Sequence, residues 1–226
     1  MQLYIGNKNY SSWSMRPWVA LRHFGIPFEE VLVRIDSFEP DSKFKQRLAE
    51  VSPTGTVPVL VDDGFAVWDT LAIGEYVAEK FPQHAFWPRD TQSRARARSL
   101  CAEMHGGFRA LRDACPMNIE ASLHEAGRRT LAEQPGVQAD VDRLAAAWSD
   151  ALARSGGPFL FGEFSWADAY FAPVVARTRT YGLALPAVAA AWAERVWATA
   201  GVQAWVTDAL KEKDFLSFTE PYRIAR

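Results

Sequence analysis

Three serines stand close together at Ser11, Ser12 and Ser14, in the stretch Asn9-Tyr10-Ser11-Ser12-Trp13-Ser14-Met15-Arg16-Pro17-Trp18. Hydroxyls just ahead of a helix can do two things. They can cap it by accepting from a free backbone N–H. They can also help hold an anion, because a helix start carries free N–H groups and a partial positive charge. A thiolate is an anion suited to that place. Proline is tolerated only in a first turn, so Pro17 predicts a helix starting near Ser14, with Ser11 and Ser12 just ahead of it. Arg16 precedes that proline and is biased away from helical angles, which leaves the start open by a few residues.

Two other segments have chemistry to offer. In Ser52-Pro53-Thr54-Gly55-Thr56-Val57-Pro58-Val59-Leu60, Pro58 interrupts a strand start. Proline removes a ladder donor there and belongs at an edge or first position. A cis bond before it would turn the Val57 backbone outward, where it could pair with a peptide-like ligand. In Trp68-Asp69-Thr70, Asp69 or Thr70 is placed to cap the next helix. The same free N–H groups plus a hydroxyl can bind a ligand carboxylate, and the acidic residue can bind a ligand amine. Such a site would read an amino-acid end.

The elements that must position these groups follow from pattern. Leu3-Tyr4-Ile5, Glu29–Ile35, Val57–Val61 and Phe65–Trp68 read as strands, the last two joined by the turn Asp62-Asp63-Gly64. Arg16–Phe24, Asp41–Glu50 and Leu71–Phe81 read as helices, the first stopped by Gly25 and Pro27. The order is β-α-β-α-β-β-α, a unit over residues 1–82. Pro82–Asp90 reads as a linker. Residues 91–226 then read as all-helical: Thr91–Cys115, Pro135–Ser155, Ser165–Thr180, Ala187–Thr199 and Val202–Glu212. The predicted fold class is α/β plus all-α. Within the first long helix, Arg109 lies at i+4 from His105 and Arg112 at i+7, so the three share one face. That face is either solvated or lines a pocket. Ser165-x-x-Asp168 has capping-box spacing and is assigned to stability.

Composition excludes several classes. The chain has 226 residues, of which 49% are hydrophobic, too many for a disordered chain. Lys+Arg is 25 against Asp+Glu 27, so the net charge is −2 and no nucleic-acid partner is expected. No apolar run approaches the roughly 18 residues that span a bilayer, and no signal peptide is visible, so a cytoplasmic protein without a membrane partner is expected. The two cysteines, Cys101 and Cys115, cannot build a disulfide scaffold or a four-ligand zinc site, and no metal is expected. Neither lies at the first helix, so a reactive sulfur there would come from a ligand. Nine tryptophans are rich for this length. Trp148, Trp192, Trp197 and Trp205 sit in helical patterns and read as packing residues.

The three segments, in this order and spacing, resemble the glutathione S-transferase family. Ser52–Leu60 resembles its cis-proline segment, Asp69-Thr70 stands where the family has Glu-Ser or Gln-Ser, and Ser11-Ser12-Trp13-Ser14-Met15-Arg16 is similar to the zeta-class stretch Ser-Ser-Cys-Ser-Trp-Arg. The resemblance implies a thioredoxin-like domain followed by a helical one, with glutathione as co-substrate. It implies that Ser11 activates the thiol, with Ser12 and Ser14 as competitors. It implies further that the Val57 backbone beside Pro58 and the Asp69-Thr70 pair hold the peptide. Trp13, His105, Arg109 and Arg112 would then line the pocket for a small electrophile, and the chain would form a homodimer. Trp13 replaces the zeta-class cysteine, which argues against thiol-transferase chemistry needing a protein sulfur. The alternatives are a zeta-like cis–trans isomerase of the maleylacetoacetate type and a non-catalytic glutathione or ligand carrier.

Overall fold

The computed structural model describes residues 1–226. Strands β1 (Gln2–Ile5), β2 (Glu29–Leu32), β3 (Val59–Asp62) and β4 (Phe65–Trp68) form one sheet. Its order is β2-β1-β3-β4. β1 and β2 run parallel in the register Gln2–Glu29 to Ile5–Leu32, as a crossover through a helix requires. β3 is antiparallel to β1 and β4. The crossover helix is α1 (Ser12–His23), followed by α2 (Lys43–Ala49) and α3 (Thr70–Lys80). The remaining chain is helical: α4 (Thr91–Gly106), α5 (Arg109–Ala114), α6 (His124–Glu133), α7 (Pro135–Ser155), α8 (Trp166–Tyr181), α9 (Ala187–Trp197) and α10 (Ala200–Ala209). This is the expected α/β unit followed by a helical one.

One expectation is corrected. Thr91–Cys115 is not a single helix. α4 stops at Gly106, and Phe108 takes a left-handed conformation (φ 55°) before α5 begins. The cause is local. A Cβ at Gly107 would sit 2.7 Å from the Glu103 carbonyl oxygen, so this close turn accepts glycine alone. Two smaller differences also appear. α1 begins at Ser12 rather than near Ser14, where Ser11 supplies the cap, so Pro17 stands inside the helix beyond its first turn and leaves the Trp13 carbonyl without its i+4 donor. α6 is an additional helix in a stretch that is polar on average, and it buries Gly127 and Thr130.

One hydrophobic cluster of 48 buried residues runs through both units. α1 is its hinge. It packs on the sheet side against α3 and on the helical side against α8 and α10. Met15, Trp18, Val19 and Leu21 are buried there beside Trp166, Tyr170 and Trp205. The head of α1 is therefore fixed from both sides. Trp148, Trp192 and Trp205 are fully buried, as expected of packing residues, while Trp197 is partly covered. No helix is long and apolar enough to cross a membrane.

Candidate active site at the head of helix α1

The loop from Gly6 to Ser11 delivers the serines. Its residues Asn7, Lys8, Asn9, Tyr10 and Ser11 are all buried. The chain after α10 holds it from outside. Glu212 accepts from the Lys8 and Asn9 backbone N–H groups at 2.8 and 3.2 Å. The Lys8 ammonium pairs with Glu30 and Asp208 beside the Trp18 ring. Asn9 Oδ1 accepts from the backbone N–H groups of Ile119 and Glu120. Tyr10 donates its hydroxyl to Glu220 at 2.8 Å, and Asn118 and Arg223 donate to the same carboxylate.

That carboxylate gives a pH prediction. Burial pushes Glu220 up, but the bonds from Arg223, Tyr10 and Asn118 outweigh it and hold the group below its ordinary value. A depressed carboxylate stabilises the fold above its unfolded value, near 4.5, and that contribution is lost as pH falls through the folded one. Glu220→Gln is therefore expected to lower the denaturation midpoint at pH 7 and to flatten its acid limb. A variant matching wild type at pH 7 but not at pH 3 would have the sign reversed.

At the head of α1 the three hydroxyls are unequal. Ser11 is the N-cap, and its Oγ accepts from the Ser14 N–H at 3.4 Å. It donates its own proton to Ser14 Oγ at 2.7 Å. Ser14 is fully buried, and its Oγ also accepts from Gly6 N at 3.1 Å. Ser12 is partly exposed, and its Oγ accepts from the Arg177 guanidinium at 3.3 Å. Ser11 and Ser14 thus form one buried pair, while Ser12 belongs to a different set of partners.

Beside this helix head lies a cleft of about 280 Å³ lined by Trp13, Thr54, Thr56, Val57, Pro58, Trp68, Asp69, Thr70 and His105. Val57–Pro58 is a cis bond. The β3 ladder begins at Val59, so the Val57 backbone stands beyond its last rung. Ser52, Thr54 and Thr56 form a chain of hydroxyls with 2.9 Å steps along the rim. Asp69 caps α3 by accepting from Leu71 N–H at 2.8 Å. Its backbone is held at φ 74°, a left-handed value that is costly outside glycine and collects at ligand sites. Its second oxygen lies 3.5 Å from His105 Nδ1. Thr70 donates to the Tyr170 hydroxyl at 2.9 Å, and that hydroxyl lies 3.3 Å from His105 Nδ1. Burial pushes Tyr170 up to about 12, so it stays a neutral donor at working pH. A larger hollow of about 670 Å³ lies between α4 and α7, but none of the three segments reaches it.

The cleft brings together Trp13, Val57, Pro58, Asp69, Thr70 and His105. Trp13 meets His105 edge-on at 5.0 Å, and the Arg112 guanidinium lies 5.2 Å from the Trp13 ring. Arg112 also donates to the His105 and Gly107 carbonyls, so it spans the break between α4 and α5. Arg109 is a correction. The break removes the shared face, and its side chain is 88% exposed in an ion pair with Asp113. Cys101 and Cys115 are buried, and burial raises both thiols, Cys115 to about 11, so neither is a nucleophile for this cleft. Sequence reasoning missed Trp68, Tyr170 and Arg177. Tyr170 and Arg177 are seven residues apart on α8, and that i, i+7 spacing on a helix packed against α1 was the available signal.

A sheet of this topology, with a cleft between a serine-headed helix, a cis-proline segment and the cap of α3, defines a thioredoxin-like protein with an appended helical unit. Residues 10–80 match the description "Glutathione S-transferase, N-terminal domain", and residues 95–208 match "Glutathione S-transferase, C-terminal domain". The chain belongs to the glutathione S-transferase family. It is 28% identical over 186 residues to glutathione S-transferase 1 of Dianthus caryophyllus, covering 81% of this chain and 80% of that one. It is 27% identical over 180 residues to the maleylacetoacetate isomerase of Rattus norvegicus, covering 79% and 78%. Among solved structures, a Burkholderia glutathione transferase homologue with bound glutathione superposes with a TM-score of 0.69 at 27% identity, over 93% of this chain and 98% of that one.

Proposed function

We propose that the chain binds glutathione in the cleft beside α1 and joins its sulfur to a small electrophile. The observation that carries this reading is one cleft shared by Trp13 of α1, the Val57–Pro58 edge and the Asp69-Thr70 cap, with the buried Ser11 hydroxyl outside its lining but at the head of the same helix. The Val57 backbone pairs with the cysteinyl backbone of the peptide. Thr70 and the first N–H groups of α3 hold the γ-glutamyl carboxylate, and Asp69 holds its amine. On this reading the sulfur lies at the head of α1.

A free thiol titrates near 8.5, so little of it is thiolate at neutral pH. Lowering that value by about two units needs about 2.7 kcal/mol of preference for the anion. Ser11 is suited to supply part of it. Its proton now goes to a neutral oxygen, and a charge-assisted bond to sulfur is roughly twice as strong, so the hydroxyl turns when the anion arrives. Ser14 stays behind as its buried support, and Ser12 offers a second hydroxyl. The thiol proton leaves to solvent. The sulfur lone pair then forms the new bond to carbon, and a leaving group departs with its electron pair or an adjacent atom takes up a proton.

Ser11→Ala is expected to raise the thiol of bound glutathione by about one unit, leaving about one third of the wild-type thiolate at neutral pH. Thiolate absorbance and turnover, titrated together, check this. If both stay at wild-type values while Ser12→Ala abolishes them, Ser12 is the activating hydroxyl instead.

A second reading is favoured by the likeness to a maleylacetoacetate isomerase. There glutathione is used and returned. Turnover of maleylacetone without net loss of glutathione supports that reading, and its absence beside conjugate formation removes it. Glutathione binding with no thiolate signal would point to a carrier. A homodimer and a cytoplasmic setting belong to this proposal on family grounds.

A further inference from the structure

Arg16 is a buried charge without a counter-charge. Its residue exposure is 1%, and its Nε and Nη1 have no hydrogen-bond partner. Its guanidinium carbon lies 4.2 Å from the centroid of the Trp13 ring and 4.0 Å from that of Tyr170. Cation–π contact with the two rings helps hold it, but neither ring neutralises it. Burial lowers Arg16 to about 10, which leaves it charged at neutral pH.

It is not alone. Arg177 is equally buried and donates to the carbonyls of Cys115 and Pro173 and to Ser12 Oγ, with no carboxylate in an ion pair. Arg112 donates to backbone carbonyls beside Trp13. Arg16 feels the positive field of Arg112, Arg177 feels that of Arg16 and Arg112, and Asp69 is the carboxylate whose field reaches Arg16. Unpaired buried charges are costly, and crowding like charges adds to the cost. Such an arrangement calls for an anion that arrives with the ligand. Helix geometry says where. Arg16 lies one turn after Ser12, and helical side chains lean toward the N-terminus, so its charge is carried to the head of α1.

We propose that Arg16, backed by Arg177, is a fixed positive charge beneath Trp13 that favours a thiolate over a thiol at the head of α1. The inference rests on the glutathione-binding reading above. The arginines exchange no proton. They stabilise the sulfur anion after its proton has gone to solvent, acting through space across the Trp13 ring, so they are not groups that touch the sulfur.

The test separates charge from packing by using two ligands. Glutathione can present a thiolate, and S-methylglutathione cannot. In Arg16→Met the thiolate absorbance of bound glutathione is expected to fall about 1.5- to threefold at neutral pH, a rise of half to one unit in the thiol. Calorimetric affinity for S-methylglutathione should change by no more than about twofold, since an uncharged sulfur gains little from the field. Arg16→Lys keeps the charge without the planar guanidinium and should fall between. Arg177→Met, read in the same way, serves if Arg16→Met does not fold. Equal weakening of both ligands would make the arginines packing residues and overturn the inference. So would an unchanged thiolate signal in both methionine variants of an enzyme whose wild type shows one. No thiolate signal in the wild type itself would overturn the glutathione-activation reading and this inference together.

Discussion

Asp168→Ala is expected to lower stability by about 3 kcal/mol, which for a chain of this size moves the thermal midpoint down by roughly 10 °C. The carboxylate is wholly buried, and its four bonds tie three separate residues of the helical unit together. One oxygen accepts from the Leu160 N–H at 3.1 Å and from Trp192 Nε1 at 2.9 Å. The other accepts from the N–H and hydroxyl of Ser165 at 2.9 and 3.0 Å. An ordinary cap contributes about 1 kcal/mol. Alanine here would also strand the Leu160 N–H and the Trp192 indole in a dry core, at about 1–3 kcal/mol for each buried donor left unmet. Against this stands relief of a desolvated charge, since burial holds Asp168 above its ordinary value. The stranded donors outnumber that one gain, so the net effect is loss. Asn should recover little, because its amide N–H₂ would face donors. A thermal midpoint within about 3 °C of wild type for Asp168→Ala would reduce the residue to a simple cap.

The same residue marks what the sequence made legible. Ser165 and Asp168 are three positions apart just ahead of an apolar helix, and a cap is a local device that spacing can reveal. The order of strands and helices was legible for a similar reason, since the period of two gives way to 3.6 within the chain itself. Asp69-Thr70 and Val57–Pro58 could be located because turn and cap chemistry is written in consecutive residues. Other features depend on partners distant in sequence. The Leu160 and Trp192 bonds of Asp168 are of that kind, and so is the placing of Tyr170 and Arg177 against α1. The break at Gly107-Phe108 failed differently. A helical face was extended through it, although one close contact with a carbonyl decides the path there. Arg16 lies in the serine-rich segment at the head of α1. Its sequence neighbours give its helical register, but only the fold shows that it has no carboxylate.

Asp69→Asn is expected to weaken glutathione binding by about 10- to 100-fold while leaving the thermal midpoint close to wild type. The substitution separates two duties of one side chain. As a cap, Asp69 needs an oxygen for the Leu71 N–H and a residue that accepts φ 74°, and asparagine supplies both. As an amine receptor it needs a negative charge, which asparagine lacks. A hydrogen bond to a charged group contributes about 1.5–3 kcal/mol, which sets the size of the loss. Alanine would confuse the two duties, because it gives up the cap and strains the backbone as well. A glutathione analogue without the α-amine sharpens the reading. Wild type should prefer glutathione over it by roughly the factor lost in Asp69→Asn, and the variant should bind the two nearly alike. The proline-edge contacts and the helix-head anion site remain in the variant, so the thiol of whatever glutathione binds should titrate as in wild type. A variant that keeps its affinity but loses the thiolate would place Asp69 with the sulfur rather than with the amine, and the peptide would then lie in the opposite direction along the cleft.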